Sequence, residues 1–251
     1  VSAGTAPEPR QASAGGGLVL DDVRVAYGAA GALHGLSLTV PGGAGLAILG
    51  VNGAGKSTFG RAASGLVPVS GGRIYFDGAD ITGLPPQRVS RLGLRYIPEG
   101  RGVLTGLSVA DNLRHAALVL PRAEQRRAVA EMCDLFEVLG RRRDQRSGSL
   151  SGGEQQMLAL ALALIARPKL VIADEMSLGL APKVVTAVLE SLERAKDAGI
   201  TVVLIEQFVH RALAFADRCA IFDRGRVTWT GSAAEAGPGV LSAYLGETSS
   251  A

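Results

Sequence analysis

Gly50-Val51-Asn52-Gly53-Ala54-Gly55-Lys56-Ser57-Thr58 is the stretch on which the fold turns. Its spacing, glycine, four residues, then Gly-Lys-Ser, is that of a loop that cradles phosphate. The flanks support the motif. Leu46–Leu49 reads as a short strand ahead of it, and from Thr58 to about Gly65 the composition is helical. A strand passing through a glycine-rich turn into a helix leaves the first helical N–H groups unpaired and aimed at the turn. Glycines let the backbone wrap those groups around phosphate oxygens. Lys56 adds a mobile positive charge, and the Ser57 hydroxyl can ligate Mg²⁺. Asn52, Gly53, Ala54, Gly55, Lys56, Ser57 and Thr58 are therefore candidate ligands of a nucleotide.

Working outward, a second constellation ends another apolar run, Leu170-Val171-Ile172-Ala173-Asp174-Glu175. A strand without polar alternation is buried on both faces. Two carboxylates at its end are penalised by desolvation unless a cation or a transferable proton awaits them. Asp174 is thus a candidate for the Mg²⁺ shell, and Glu175 for polarising a water that attacks the γ-phosphate. A solvated turn is the bland alternative, and the phosphate-cradling loop argues against it.

A third motif, Leu150-Ser151-Gly152-Gly153-Glu154-Gln155, opens a helix expected over Gly152–Ala166. Paired glycines at a helix start bare backbone N–H groups, and Ser151 adds a hydroxyl, making a second anion site. One nucleotide does not need two cradles from separate helices of one chain. A head-to-tail pair of chains resolves this, each Ser-Gly-Gly closing over the nucleotide held by its partner.

The remaining pattern predicts an α/β fold. Strand-like runs are Leu18–Tyr27, Leu36–Val40, Arg73–Phe76 and Thr201–Ile205, with two more flanking Asp223–Arg226. Leu84–Ser149 reads as interrupted helix, clearest over Glu124–Leu139. Pro182–Ala198 reads as a helix stopped by Gly199, and a further helix runs to about Ala216. Apolar strands alternating with helices predict a mainly parallel sheet covered on both faces. Residues 1–17, with little to bury, predict a disordered tail; 18–245 predict a single domain, and 246–251 a C-terminal tail.

Composition narrows the class. The 251 residues are 47% hydrophobic and 20% charged, enough for a sizeable core. A net charge of +3, spread along the chain, does not make the concentrated basic face that nucleic acid demands. Cys133 and Cys219 cannot form a disulfide framework and read as core. The longest apolar run, Met157–Ala166, falls well short of the about 20 residues a membrane span needs. The N-terminus lacks a signal-peptide pattern, and the expectation is a soluble cytosolic protein. His34 and His115 read as surface or structural residues, Arg141–Arg143 as a solvated helix end, and Trp229 as a strand residue without a ligand role.

The three motifs, in the chain order Gly50–Thr58, Leu150–Gln155, Leu170–Glu175, resemble the ATP-binding cassette (ABC) family, whose signature sequence Leu150–Gln155 matches. The resemblance runs from Leu18 to about Leu245. It implies a P-loop NTPase (RecA-like) core with an antiparallel β subdomain and a helical insert over about 83–149. It implies ATP and Mg²⁺ as ligands and ATP hydrolysis coupled to solute transport. The implied partners are a second ABC ATPase subunit (homo- or heterodimer), membrane permease subunits and, indirectly, an extracytoplasmic solute-binding protein, with no nucleic acid. The implied location is peripheral, at the cytoplasmic face of the membrane.

Position by position, the resemblance makes Tyr27 the adenine-stacking aromatic and Ser151, Gly152, Gly153 and Glu154 the signature contacts to nucleotide. Glu99 falls where the family usually has the glutamine that links Mg²⁺ and the attacking water to the permease contact. Ser177–Leu180 resembles the loop that crosses to the other subunit. Gln207 takes the place of the switch histidine; it can hydrogen-bond the γ-phosphate but cannot carry a proton. His210, three residues on, is its possible substitute. Val51 and Met176 stand where relatives often have proline.

Pro98-Glu99-Gly100-Arg101, Ser177-Leu178-Gly179-Leu180-Ala181-Pro182 and Ile205-Glu206-Gln207 together resemble the smaller ATPase of branched-chain amino-acid importers. ATPases of urea or short-amide importers are the neighbouring alternative. A soluble ABC ATPase, such as one for iron–sulfur cluster assembly, is the alternative from another class. An ordinary P-loop kinase would leave Leu150–Glu154 unexplained.

Overall fold

The computed structural model describes residues 16–100 and 102–245, without the side chains of 238 and 243–245. The tails expected over 1–15 and 246–251 lie outside the described residues. Gly16 and Gly17, placed in the tail by sequence, are part of the body. The Gly16 N–H donates to Asp77 Oδ1 (3.1 Å), and the Asp77 N–H donates to the Gly17 carbonyl (2.8 Å).

Two sheets carry the chain. The antiparallel one has the order β2-β1-β4-β5, with β1 Leu18–Tyr27, β2 Ala30–Val40, β4 Gly71–Phe76 and β5 Ala79–Asp80. The other has the order β10-β9-β3-β8-β7-β6. Its strands are β3 Gly45–Gly50, β6 Leu94–Ile97, β7 Leu170–Asp174, β8 Thr201–Ile205, β9 Arg218–Asp223 and β10 Arg226–Ser232. All of its pairings are parallel except the β9–β10 hairpin at one edge. The helices are α1 Lys56–Ala63, α2 Pro86–Leu92, α3 Val109–Ala117, α4 Arg122–Leu135, α5 Glu137–Arg141, α6 Gly152–Leu164, α7 Pro182–Asp197, α8 Val209–Phe215 and α9 Pro238–Leu245.

The unbroken apolar strands have their reason in two cores. Alternate side chains of a strand point to opposite faces. Leu46, Ile48, Leu170, Ile172, Val203 and Ile205 enter the core shared with α1 and the antiparallel sheet. Ala47, Leu49, Val171, Ala173, Val202 and Leu204 enter the core beneath α3, α6 and α7. Phe59 of α1 is fully buried in the first core and meets Phe222 edge-to-face at 5.9 Å. Phe59→Ala should cost about 3–5 kcal/mol, the range for truncating a buried aromatic, read as a lower urea midpoint with unchanged slope.

Three expectations need correction. The stretch 83–149 is not uniformly helical, because Leu94–Ile97 forms β6 and pairs in parallel with β7. Four residues carry too little period to choose a state; the partner strand chooses it. The helix expected over Glu124–Leu139 breaks at Phe136 (φ −116°, ψ 75°), which turns its ring into the core. The strand expected from Leu36 begins at Ala30, because Ala30, Gly31 and Leu33 pair with Tyr27, Ala26 and Val25 of β1, in spite of the small side chains at 30 and 31.

Candidate functional site

β3, β8 and β7 are parallel neighbours, so their C-terminal ends open at one edge of the sheet, where open α/β sheets place ligands. That edge gathers residues far apart in sequence. The loop Asn52–Thr58 follows β3, Gln207 follows β8, and Glu175 follows β7. Together with Ala32, Glu99 and Leu178 they line a cavity of about 470 Å³. The extended β2 is what brings Ala32 there.

Within the loop, Gly55 (φ 99°) caps α1 in the left-handed region, and a Cβ there would stand 3.0 Å from the Ala32 carbonyl oxygen. The Lys56 Nζ donates to the carbonyls of Gly50 (2.7 Å) and Val51 (3.1 Å). Burial pushes its pKa down, and the charges of Glu175, Asp174 and Glu206 oppose that shift.

Asp174 is wholly buried. Its Oδ2 accepts from the Tyr96 hydroxyl at 2.6 Å, and its Oδ1 has no partner. Burial pushes its pKa up, offset by the neighbouring Tyr96 and Ser57 hydroxyls. A buried carboxylate oxygen without a donor, next to a serine hydroxyl, fits a hard cation. Among the described residues no cluster of three His, Cys, Asp or Glu could hold a metal. This donor set suits Mg²⁺, which keeps water and phosphate oxygens in its shell and needs few protein ligands.

Glu175 has φ 48°, a left-handed conformation that costs a non-glycine residue about 1–3 kcal/mol and persists only where its surroundings enforce it. Its backbone N–H donates to Ile205 (2.9 Å), and its Oε2 accepts from Gln207 Nε2 (3.0 Å). A carboxylate projecting into the cavity and oriented by an amide can take a proton from water.

Sequence reasoning missed two residues of this neighbourhood as contributors to it. Tyr96 has no sequence signal beyond its place in β6. Glu206 had one: it ends an apolar buried strand directly, the feature that singled out Asp174 and Glu175. It is 3% exposed, and burial raises its pKa while hydrogen bonds from Ser177 hold it down.

The other expected residues are placed as follows. Glu99 is exposed and lines both this cavity and an adjoining one of about 310 Å³, which Val103, Thr105, Gln155, Gln156, Glu175 and Leu178 also border. Tyr27 ends β1, 45% exposed, beside Arg61 of α1, and does not line the cavity. His210 is exposed on α8 and does not line it either. Cys219 is buried, and burial pushes its thiol up to about 12.

Ser151, Gly152, Gly153 and Glu154 do not line the phosphate cavity of their own chain. Ser151 is exposed and caps α6 with its side chain. Glu154 turns back to accept from the Ser151 N–H (2.8 Å) and pairs with Arg142 (2.9 Å), so within the single chain its carboxylate caps its own helix start. Gly153 is buried, and a Cβ there would come within 2.5 Å of Val184 Cγ1 on α7.

Comparison with known proteins places the chain in a family. The ABC transporter family profile matches residues 33–177. The high-affinity branched-chain amino acid transport ATP-binding protein BraG of Pseudomonas aeruginosa is 38% identical, over 91% of this chain and 99% of its own. A probable branched-chain amino acid transport ATP-binding protein, LivF, of Archaeoglobus fulgidus is 35% identical over 75% of this chain and 80% of its own. The lipopolysaccharide export system ATP-binding protein LptB of Escherichia coli is 34% identical over 92% and 97%. Among solved structures, the ATP-binding cassette MJ1267 superposes with a TM-score of 0.81 at 25% identity, over 91% of this chain and 98% of that one. The matched profile, relatives aligned over nearly their full length and the shared fold lead to one conclusion: the chain belongs to the ABC transporter family and is an ATP-hydrolysing transporter subunit.

Proposed function

We propose that the chain binds MgATP at the 470 Å³ cavity and hydrolyses it within a head-to-tail pair of subunits, so as to drive a membrane permease. The carrying observation is that Lys56, the unpartnered Asp174 oxygen and the Glu175–Gln207 pair meet at one edge of the sheet, whereas Ser151–Gly153 lie outside that cavity. In this reading the loop Asn52–Thr58 holds the phosphates and Tyr27 meets the adenine. Ser57 and Asp174 hold Mg²⁺, with Glu99 at the mouth; when bound, the ion neutralises charge on the phosphate oxygens. Glu175 takes the proton of the attacking water, and Gln207 keeps the Glu175 carboxylate aimed. Ser151, Gly152 and Gly153 of a second subunit close the far side.

The cargo we propose is branched-chain or other hydrophobic amino acids, imported with the help of an extracytoplasmic binding protein. Its support is the near full-length similarity to BraG. LptB, at 34% identity, is named for lipopolysaccharide export, so similarity of this degree spans different cargoes. No described helix is long and apolar enough to cross a membrane, in keeping with a subunit docked on a permease from the cytoplasmic side. Reconstitution with the permease and binding protein tests the cargo: leucine should stimulate hydrolysis, and no stimulation by any branched-chain amino acid would overturn that assignment.

Two variants separate roles inside the site. Gln207→Ala removes the donor to Glu175, so kcat should fall about tenfold while the KM for ATP stays within about twofold. Gln207→His, which can still donate, should keep activity. Glu99 borders both cavities, so Glu99→Ala should lower the stimulation by transported substrate more than the basal rate. Equal loss of both rates would make Glu99 a metal-side group without a coupling role.

A further inference from the structure

We infer that Glu206 is a positioning residue: its carboxylate clamps Ser177 and so holds Glu175 and the loop 177–180 in the geometry that hydrolysis needs. Both carboxylate oxygens are used. Oε1 accepts from the Ser177 N–H at 3.1 Å and Oε2 from the Ser177 hydroxyl at 2.6 Å. Ser177 is 5% exposed and Glu206 3%, so water does not offer either group a substitute partner.

The clamp works with a second bond one residue away. The Glu175 N–H donates to the carbonyl of Ile205, the residue before Glu206. Residues 175 and 177 are thus stapled to residues 205 and 206 of the neighbouring chain segment, with Met176 buried between them. This is the enforcement that a left-handed Glu175 requires. Beyond the staple the chain turns at once. The Leu178 N–H reaches the Glu175 carbonyl and the Leu180 N–H the Ser177 carbonyl, each at 3.3 Å, and Leu178 emerges to line both cavities. One buried carboxylate therefore sets the aim of Glu175 and the course of the loop after it.

A carboxylate at 206 meets both Ser177 donors with two acceptor oxygens, and its charge strengthens the 2.6 Å bond from the hydroxyl. Glutamine keeps one acceptor for the N–H, and its NH₂ can meet the hydroxyl only by reversing that bond and losing its charge assistance. Glu206→Gln, nearly identical in shape, should therefore weaken the clamp.

The inference rests on Glu175 acting as the base, and the experiment judges the two separately. ATP hydrolysis is measured for Glu206→Gln, Ser177→Ala and the double variant, alongside nucleotide affinity and amide exchange at residues 176–178. Each single variant should lower kcat about tenfold with the KM for ATP within about twofold, and the double should be no worse than the poorer single. Amide exchange at 176–178 should quicken in both singles. If Glu206→Gln yields too little folded protein, Ser177→Ala carries the test by itself, since it removes only one hydroxyl. Unchanged kcat in Ser177→Ala, or losses that multiply in the double variant, would overturn the clamp. A parental rate in Glu175→Gln would instead remove Glu175 as the base, and the exchange data would still decide whether Glu206 orders the loop.

Discussion

Glu175→Gln should keep ATP in its own phosphate loop and lose hydrolysis by at least about 10²-fold, the scale of a general-base contribution. The substitution is nearly isosteric. The cavity retains its shape, and Lys56 and the loop Asn52–Thr58 are untouched. What disappears is the group able to take a proton from water. The Gln207 amide can still donate to the remaining side-chain oxygen, so orientation alone does not explain the loss. With hydrolysis stopped, ATP should hold two subunits together, visible by size exclusion as a dimer that forms with ATP and not with ADP. Hydrolysis at the parental rate would remove Glu175 from the role of base.

The second large effect should come from Ser151→Asp. Gly153→Asp would be an ambiguous probe of the signature, because any Cβ at that position runs into Val184. Ser151 is exposed, and aspartate is as good a helix N-cap as serine, so α6 should keep its start. The added carboxylate would face a partner's γ-phosphate and oppose closure by like-charge repulsion. ATP binding by the variant's own loop should stay within about threefold of the parent while hydrolysis falls at least about tenfold. Lys56→Ala, which deletes the charge facing the phosphates, should instead weaken ATP binding by about 10–10²-fold.

Mixed together, these two inactive variants should complement. In the heterodimer the intact loop of the Ser151→Asp subunit meets the intact signature of the Lys56→Ala subunit, restoring one composite site. Recovery of ATP occlusion at one nucleotide per heterodimer is the expected result. No recovery in a verified heterodimer would place the signature in the same site as its own phosphate loop and end the head-to-tail reading.

Much of the site was legible because its chemistry is written in contiguous residues. The loop Gly50–Thr58 works through its own backbone, so spacing and glycine content are sufficient to recognise it. Asp174 and Glu175 announce themselves by contrast, as acids on the end of a strand that is otherwise apolar. Glu206 makes the same contrast at the end of β8, yet its role depends on Ser177, a partner that only the pairing of β7 with β8 brings near. The hydrogen bond from Tyr96 to Asp174 likewise needs β6 beside β7, and β6 is too short to declare itself. The ion pair of Glu154 with Arg142 also forms only once the chain is packed, because an acid next to a glycine pair reads the same whether it faces outward or back onto its helix start.

Sequence by itself determined the phosphate loop, the acids that end β7, the two-faced burial of the central strands and the membership in a family. Each depends on local periodicity or on a backbone that makes its own contacts. Tertiary structure decided the state of Leu94–Ile97, the break at Phe136, the early start of β2 that brings Ala32 to the cavity, and the staple of residues 175–177 to 205–206. Each of these is set by a neighbour distant in the chain. A short segment takes its conformation from whatever partner lets it satisfy its backbone hydrogen bonds and bury its side chains, and that partner is known only once the sheet is assembled.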